Sequence, residues 1–60
     1  MKTFIRLPAV REATGLSTST IYEGIRDGWF PKPVKMGPRA IAWDIDVISA
    51  WQDERIAKSA

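Results

Sequence analysis

The stretch TGLSTSTIYEGIRDGWFP, residues 14–31, decides the fold. Gly15 suits the left-handed position that ends a helix, and Ser17 is a favoured N-cap for a second helix that starts at once. Gly28 suits the end of that second helix in the same way. Two short helices joined by a tight turn that contains glycine are typical of a helix-turn-helix.

Apolar residues recur at the three- to four-residue spacing of a buried helix face in both of these helices. In the first helix, which begins at Leu7-Pro8, they are Leu7, Val10 and Ala13, with Leu16 beyond. In the second they are Ile21 and Ile25, and Gly24 beside them lets another element approach closely. Both helices are therefore predicted to pack against one core.

The segments on either side of the helix pair predict short strands. Phe4-Ile5-Arg6 is a candidate edge strand, whereas Trp29-Phe30-Pro31-Lys32-Pro33 is extended because two prolines cannot continue a helix. A β-hairpin is predicted next, from Val34-Lys35-Met36 and Ala40-Ile41-Ala42-Trp43. Gly37, Pro38 and Arg39 form its tip.

Asp44 is the predicted N-cap of a third helix. The apolar face of that helix is predicted from Ile45, Ile48 and Trp51, with Val47 beside them. The tail after Ile56, residues 57–60, is expected to fray.

The element order is strand, helix, turn, helix, hairpin, helix, which predicts a single domain over residues 1–60. Its fold class is mainly α with a small β-hairpin, a winged helix-turn-helix. A chain of 60 residues buries only about 60% of its unfolded surface. Because no cysteine is present to form a disulfide, Trp43 and Trp51 are expected to fill the core, and Trp29 to pack over the end of the second helix.

Composition excludes several classes of function. The chain has no cysteine and no histidine, so a thiolate or imidazole metal site and a Ser/His or Cys/His catalytic centre are excluded. We expect no enzymatic activity, no cofactor and no bound metal. The N-terminus MKTFIRLP lacks the apolar run of a signal peptide, and no segment is apolar enough to span a membrane. A cytoplasmic protein is expected.

The charge is unevenly placed along the chain. Residues 1–40 carry seven basic and three acidic side chains, a net charge of +4. Residues 41–60 carry two basic and four acidic side chains, a net charge of −2. A basic front half favours a surface that meets a polyanion, although a mixed surface with chance asymmetry is the plain alternative.

The polar face of the second helix predicts contacts with DNA. In a helix-turn-helix this helix enters the major groove, where short hydroxyl side chains let the helix N-terminus approach phosphate. Arg26 could pair with guanine through both of its terminal donors, and Arg39 at the hairpin tip could reach the backbone or a minor groove. The candidate DNA-binding residues are Ser17, Thr18, Ser19, Tyr22, Arg26, Lys35, Gly37, Pro38 and Arg39.

Two residues of this face have competing interpretations. Ser17 serves foremost as the helix cap. Glu23 would repel phosphate, yet its carboxylate could also accept a hydrogen bond from cytosine.

Several motifs together resemble the AlpA family of phage and prophage regulators, which are excisionase-like and MerR-like winged-helix proteins. The resemblance covers about residues 4–56. The matching segments are Leu7-Pro8-x-Val10, TGLSTSTIY (14–22), IRDGWFPKPVKMGPRAIAW (25–43) and Ala50-Trp51. The run FPKPVKMGPRAIAW is its most specific part.

The resemblance implies transcriptional control of a phage or prophage gene, with Ser17 opening the recognition helix and Gly37-Pro38-Arg39 as the wing tip. Family members often carry basic residues where this chain has Thr18 and Glu23. More of the phosphate affinity is therefore expected from the remaining basic side chains: Arg26, Lys32, Lys35 and Arg39.

Two further functions remain as alternatives. One is an excisionase-like architectural factor that bends DNA in a mobile element. The other is a protein-interaction module such as an anti-repressor, which would use Tyr22, Trp29 and the acidic third helix. The expected partners are double-stranded DNA, further copies of the chain on DNA, and RNA polymerase or integrase.

Overall fold

A computed structural model describes residues 1–59 as three helices and three short strands. In chain order these are β1 (Phe4–Ile5), α1 (Leu7–Thr14), α2 (Thr18–Asp27), β2 (Val34–Gly37), β3 (Ala40–Asp44) and α3 (Ile45–Ser59). The predicted mainly helical domain with a small antiparallel hairpin is confirmed, and so is the predicted order of its elements.

The predicted ends of α1 and α2 are confirmed. Gly15 and Gly28 follow these helices with φ of 73° and 88°, the left-handed conformation that glycine adopts without a steric cost. Ser17 caps α2, because its hydroxyl oxygen accepts a hydrogen bond from the backbone N–H of Thr20. Only two residues, Leu16 and Ser17, lie between the cap glycine of α1 and the first residue of α2.

The three strands form one antiparallel sheet in the order β1-β3-β2. Ile5 lies opposite Trp43, and Val34 lies opposite Ala42. The predicted edge strand is confirmed as β1. Its pairing with β3 ties the start of the chain to the hairpin, and the N–H of Ile45 extends this contact by donating to Thr3 O at 2.8 Å.

The core lies between the sheet and the helices. Its buried apolar residues are Val10, Ile21, Phe30, Ala42, Trp43 and Ile48. The core roles predicted for Trp43 and Trp51 are confirmed, since Trp43 is fully buried and the half-buried Trp51 packs against the cluster. Each indole also satisfies its N–H with a backbone carbonyl, Trp43 with Pro31 O at 2.9 Å and Trp51 with Trp29 O at 3.0 Å.

Gly24 is the point where α2 meets the segment that follows it. A Cβ at this position would lie 2.7 Å from Phe30 Cβ and 2.9 Å from two ring carbons of Trp29. The expected close approach at Gly24 is confirmed, and so is the packing of Trp29 over the end of α2.

Some predicted apolar faces are narrower in the structure. Ala13 is exposed, and Ile25 is only half-buried. Ile45 and Val47 are both exposed, whereas Ile48 lies in the core and Trp51 packs against it. The predictions for both residues were wrong. Val47 is next to Ile48 in sequence and so faces another side of the helix, whereas Ile45 is exposed in the first turn although it lies three residues before Ile48.

The structure describes residues 57–59 of the predicted tail as part of α3, and fraying of this tail stays a prediction. The hydroxyl of Ser59 donates to Ile56 O at 3.0 Å. Ala60, the last residue of that tail, lies outside the described residues.

Asp44 caps α3 as predicted, since its Oδ1 accepts the N–H of Asp46 at 2.9 Å. Lys2 Nζ also lies 3.3 Å from Asp44 Oδ2. The hydrogen bond from Asp46, followed by the interaction with Lys2, lowers the pKa of the Asp44 carboxyl below its ordinary value. Both contacts favour the charged carboxylate.

Substitution of Gly24 by alanine is expected to destabilise the fold. Alanine is the better helix former by about 1 kcal/mol, but overpacking against Trp29 and Phe30 costs about 1–3 kcal/mol. Urea denaturation of Gly24→Ala should give a lower midpoint than wild type, whereas Glu23→Ala, an exposed neighbour, should change little. A Gly24→Ala protein more stable than wild type would contradict the close contact.

The Asp44 cap predicts a loss of stability in acid. Because its pKa is lower in the folded than in the unfolded chain, the carboxylate stabilises the fold above the unfolded pKa, and this contribution is lost as the pH falls below about 4. Asn can still cap the helix, so Asp44→Asn should show a smaller drop in melting temperature between pH 7 and pH 3. Asp53→Asn, which removes an exposed carboxylate of the same helix, serves as control. An equal effect of both variants would contradict the role of the cap.

Candidate nucleic-acid interface

The outward face of α2 carries the polar side chains that the sequence placed there. Ser19, Tyr22, Glu23 and Arg26 are exposed, because Ile21 and Gly24 turn the opposite face of the helix into the core. Thr18 is half-buried, so it presents less of its side chain than predicted.

Two of the four consecutive hydroxyls take part in capping. Ser17 Oγ lies 2.9 Å from Thr20 Oγ1, in addition to the hydrogen bond that it accepts from the Thr20 N–H. The hydroxyl groups of Ser17 and Thr20 are therefore both engaged in contacts at the start of α2. Ser19 is left as the exposed hydroxyl of the first turn that makes no such contact among the described residues.

Arg26, a predicted DNA-binding residue, forms an ion pair with its neighbour Asp27. Its Nε lies 3.1 Å from Asp27 Oδ1, and its Nη2 lies 3.5 Å from Asp27 Oδ2. Asp27, with a smaller contribution from Glu23, raises the pKa of Arg26. The Arg26 side chain is 74% exposed and that of Asp27 is 45% exposed, so the pair is a weak one that another anion can replace.

The hairpin presents the second group of candidate residues. Lys35, Pro38 and Arg39 are exposed, and Gly37 is half-buried. The register between the two strands shifts between Lys35 and Gly37, which leaves Met36 as an extra residue on β2. Such a bulge bends the strand and directs the tip of the hairpin.

An open groove brings the hairpin tip and α2 together. Its volume is about 420 Å³, and its lining residues are Arg6, Leu7, Pro8, Tyr22, Arg39 and Ile41. Tyr22 and Arg39, 17 positions apart in sequence, therefore border one concave surface. Arg6 was not among the predicted DNA-binding residues. The sequence placed it at the end of the candidate edge strand, and no local motif marks its position beside the groove.

The remaining aromatic residues lie in a different cluster. The guanidinium of Arg55 sits 5.3 Å from the ring centroid of Trp29 and 5.0 Å from that of Trp51. Phe30 contacts both rings edge-on. Arg55 thus covers the two indoles by cation–π stacking, and Trp29 is only half-buried.

Within residues 1–59, no group of three His, Cys, Asp or Glu side chains is placed to hold a metal ion. The helices of this part of the chain are all too short or too polar to cross a membrane.

Comparison with known proteins identifies the family. The sequence model of the family described as Prophage CP4-57 regulatory protein (AlpA) matches residues 3–56. This protein therefore belongs to the AlpA family, as its resemblance predicted.

Two relatives show the extent of the similarity. The chain is 48% identical over 54 residues to the uncharacterized protein ORF88 of Enterobacteria phage P4, covering 90% of this chain but 61% of ORF88. It is 33% identical over 57 residues to the DNA-binding transcriptional activator AlpA of Escherichia coli (strain K12), covering 85% of this chain and 81% of that protein.

Proposed function

We propose that this protein is a sequence-specific, double-stranded-DNA-binding transcriptional regulator of the phage and prophage type. The observation that carries the proposal is the meeting of the exposed face of α2 and the hairpin tip at one groove bordered by two arginines. The relative from Escherichia coli, named as a DNA-binding transcriptional activator, supports it.

In this proposal the domain is a winged helix-turn-helix. The helices α1 and α2 with their tight connection form the helix-turn-helix, and the hairpin is the wing. The recognition helix α2, from Ser17 to Asp27, lies in the major groove, where its exposed Ser19, Tyr22 and Arg26 reach base edges or phosphates. The wing around Gly37–Arg39 lies on the backbone or in an adjacent minor groove.

The phosphate contacts are shared among the exposed residues on both elements. Ser17 and Thr18 contribute mainly through the helix start, because their side chains are engaged in capping or half-buried. Lys35, Pro38 and Arg39 are exposed on the hairpin, and Lys32 is exposed just ahead of it. Because one module of this size buries only about 600–1,000 Å² on DNA, further copies at neighbouring sites would be needed for tight binding.

The two alternative functions differ in how the structure bears on them. A role in excision with integrase would use the same DNA surface. A partner-binding role for Trp29 is less favoured, because its ring is already covered by Arg55 and packed on Gly24.

The DNA-binding proposal predicts a salt-dependent affinity that depends on the hairpin tip. Fluorescence anisotropy of a labelled mixed-sequence duplex, titrated at several salt concentrations, should give a log affinity that falls linearly with log salt. Arg39→Gln should weaken binding and make this slope shallower by up to about one, because a phosphate contact is lost.

Lys58→Gln is the matched control, since it removes the same charge from the last turn of α3. Absence of wild-type binding at low salt would overturn the DNA-binding function. Equal effects of Arg39→Gln and Lys58→Gln would instead overturn the placement of the wing.

The Arg26–Asp27 pair predicts a variant that binds DNA more tightly. Asp27→Asn removes a carboxylate from the proposed interface and frees the guanidinium for phosphate, so affinity for the same duplex should rise and the salt slope steepen by up to about one. Asp53→Asn, which removes an exposed carboxylate from α3, should have a smaller effect. Weaker binding by Asp27→Asn would mean that Asp27 positions Arg26 for its contact rather than competing with DNA.

A further inference from the structure

The groove between α2 and the hairpin tip brings together two arginines and one tyrosine from three separate parts of the chain. Arg6 precedes α1, Tyr22 lies on α2, and Arg39 lies in the turn between β2 and β3. These residues meet because β1 pairs with β3, which places the residue after β1 beside the hairpin.

Neither arginine of this groove has a counter-charge among the described residues. The ion pairs of residues 1–59 involve Lys2, Arg26 and Lys58. Arg6 and Arg39 are both exposed and border the same concave surface without a carboxylate on its lining. Two like charges held beside one groove repel each other, so an anion bound between them is stabilised by both.

The chemistry of the groove fits a phosphate group. Guanidinium donors match phosphate oxygens in a two-pronged geometry, and the Tyr22 hydroxyl adds a further donor. Leu7, Pro8 and Ile41 supply an apolar wall that reduces screening by water.

From this juxtaposition we infer that Arg6 and Arg39 clamp a single backbone phosphate of duplex DNA, with Tyr22 beside it. The inference rests on the DNA-binding function proposed above, and it adds Arg6 as a contact residue. A DNA strand that runs from the exposed face of α2 to the hairpin tip crosses this groove. A phosphodiester group of that strand is therefore the expected occupant.

The salt dependence of DNA binding tests the shared phosphate. The proteins to compare are wild type, Arg6→Gln, Arg39→Gln and the double variant, with circular dichroism to confirm folding. If one phosphate is shared, each single variant makes the slope shallower by less than one, and the double variant by about one in total. Two independent phosphates would give about one for each single variant and about two for the double variant, which would overturn the clamp.

Arg11→Gln is the matched control, because Arg11 is an exposed arginine on α1 that does not line this groove. Arg6→Gln is expected to weaken binding more than Arg11→Gln does. Equal effects of these two variants, with wild-type binding intact, would overturn the role of Arg6 while leaving the DNA-binding function in place. Loss of binding by wild type itself would be a failure of the proposed function.

Titration with inorganic phosphate in the absence of DNA separates the two sources of a phosphate group. The amide resonances of Tyr22 and Arg39 are expected to shift without reaching saturation in the millimolar range. Saturation of these shifts at phosphate concentrations below the millimolar range would assign the groove to a small phosphorylated ligand and overturn the inference.

Discussion

The contact between Gly24 and the segment after α2 holds the rest of the structure together. The carbonyl of Gly24 accepts hydrogen bonds from the N–H groups of Gly28, Trp29 and Phe30, at 2.8, 3.0 and 3.2 Å. The chain can turn so sharply because Gly24 has no Cβ to meet Trp29 and Phe30. Phe30 is thereby directed into the core.

The same turn connects α2 to both of the elements that follow. The indole N–H of Trp43 on β3 and that of Trp51 on α3 bind carbonyls of residues 29–31. The position of the hairpin relative to α2 therefore depends on this segment, and so does the groove that they border. In a chain that cannot form a disulfide, these partly buried hydrogen bonds and the aromatic contacts beside them fix the orientation of the proposed interface.

Local features of the fold could be predicted from sequence because each depends on a few adjacent residues. Gly15, Ser17, Gly28 and Asp44 mark helix ends through backbone conformation or a side-chain cap. The partner of the edge strand β1 could not be predicted. The pairing of β1 with β3 joins residues about 40 positions apart, and no pattern within either strand specifies its partner.

The candidate site likewise contains one feature that sequence predicts and others that it does not. The exposed face of α2 follows from helical periodicity, but the pairing of Arg26 with Asp27 depends on side-chain conformation, which residue spacing does not determine. Arg6 joins the groove only through the sheet. The DNA-binding roles of the predicted residues stay predictions until they are measured.

The most direct test of a single DNA-binding face is an NMR titration of the ¹⁵N-labelled protein with a short mixed-sequence duplex. The largest amide shifts are expected at residues that border the groove and along the exposed face of α2, including Arg6, Ser19, Tyr22 and Arg39. The last turns of α3, near Lys58, should change little. Shifts concentrated at Trp29, Trp51 and Arg55 instead would contradict this orientation and place the binding surface at the cluster that these three residues form.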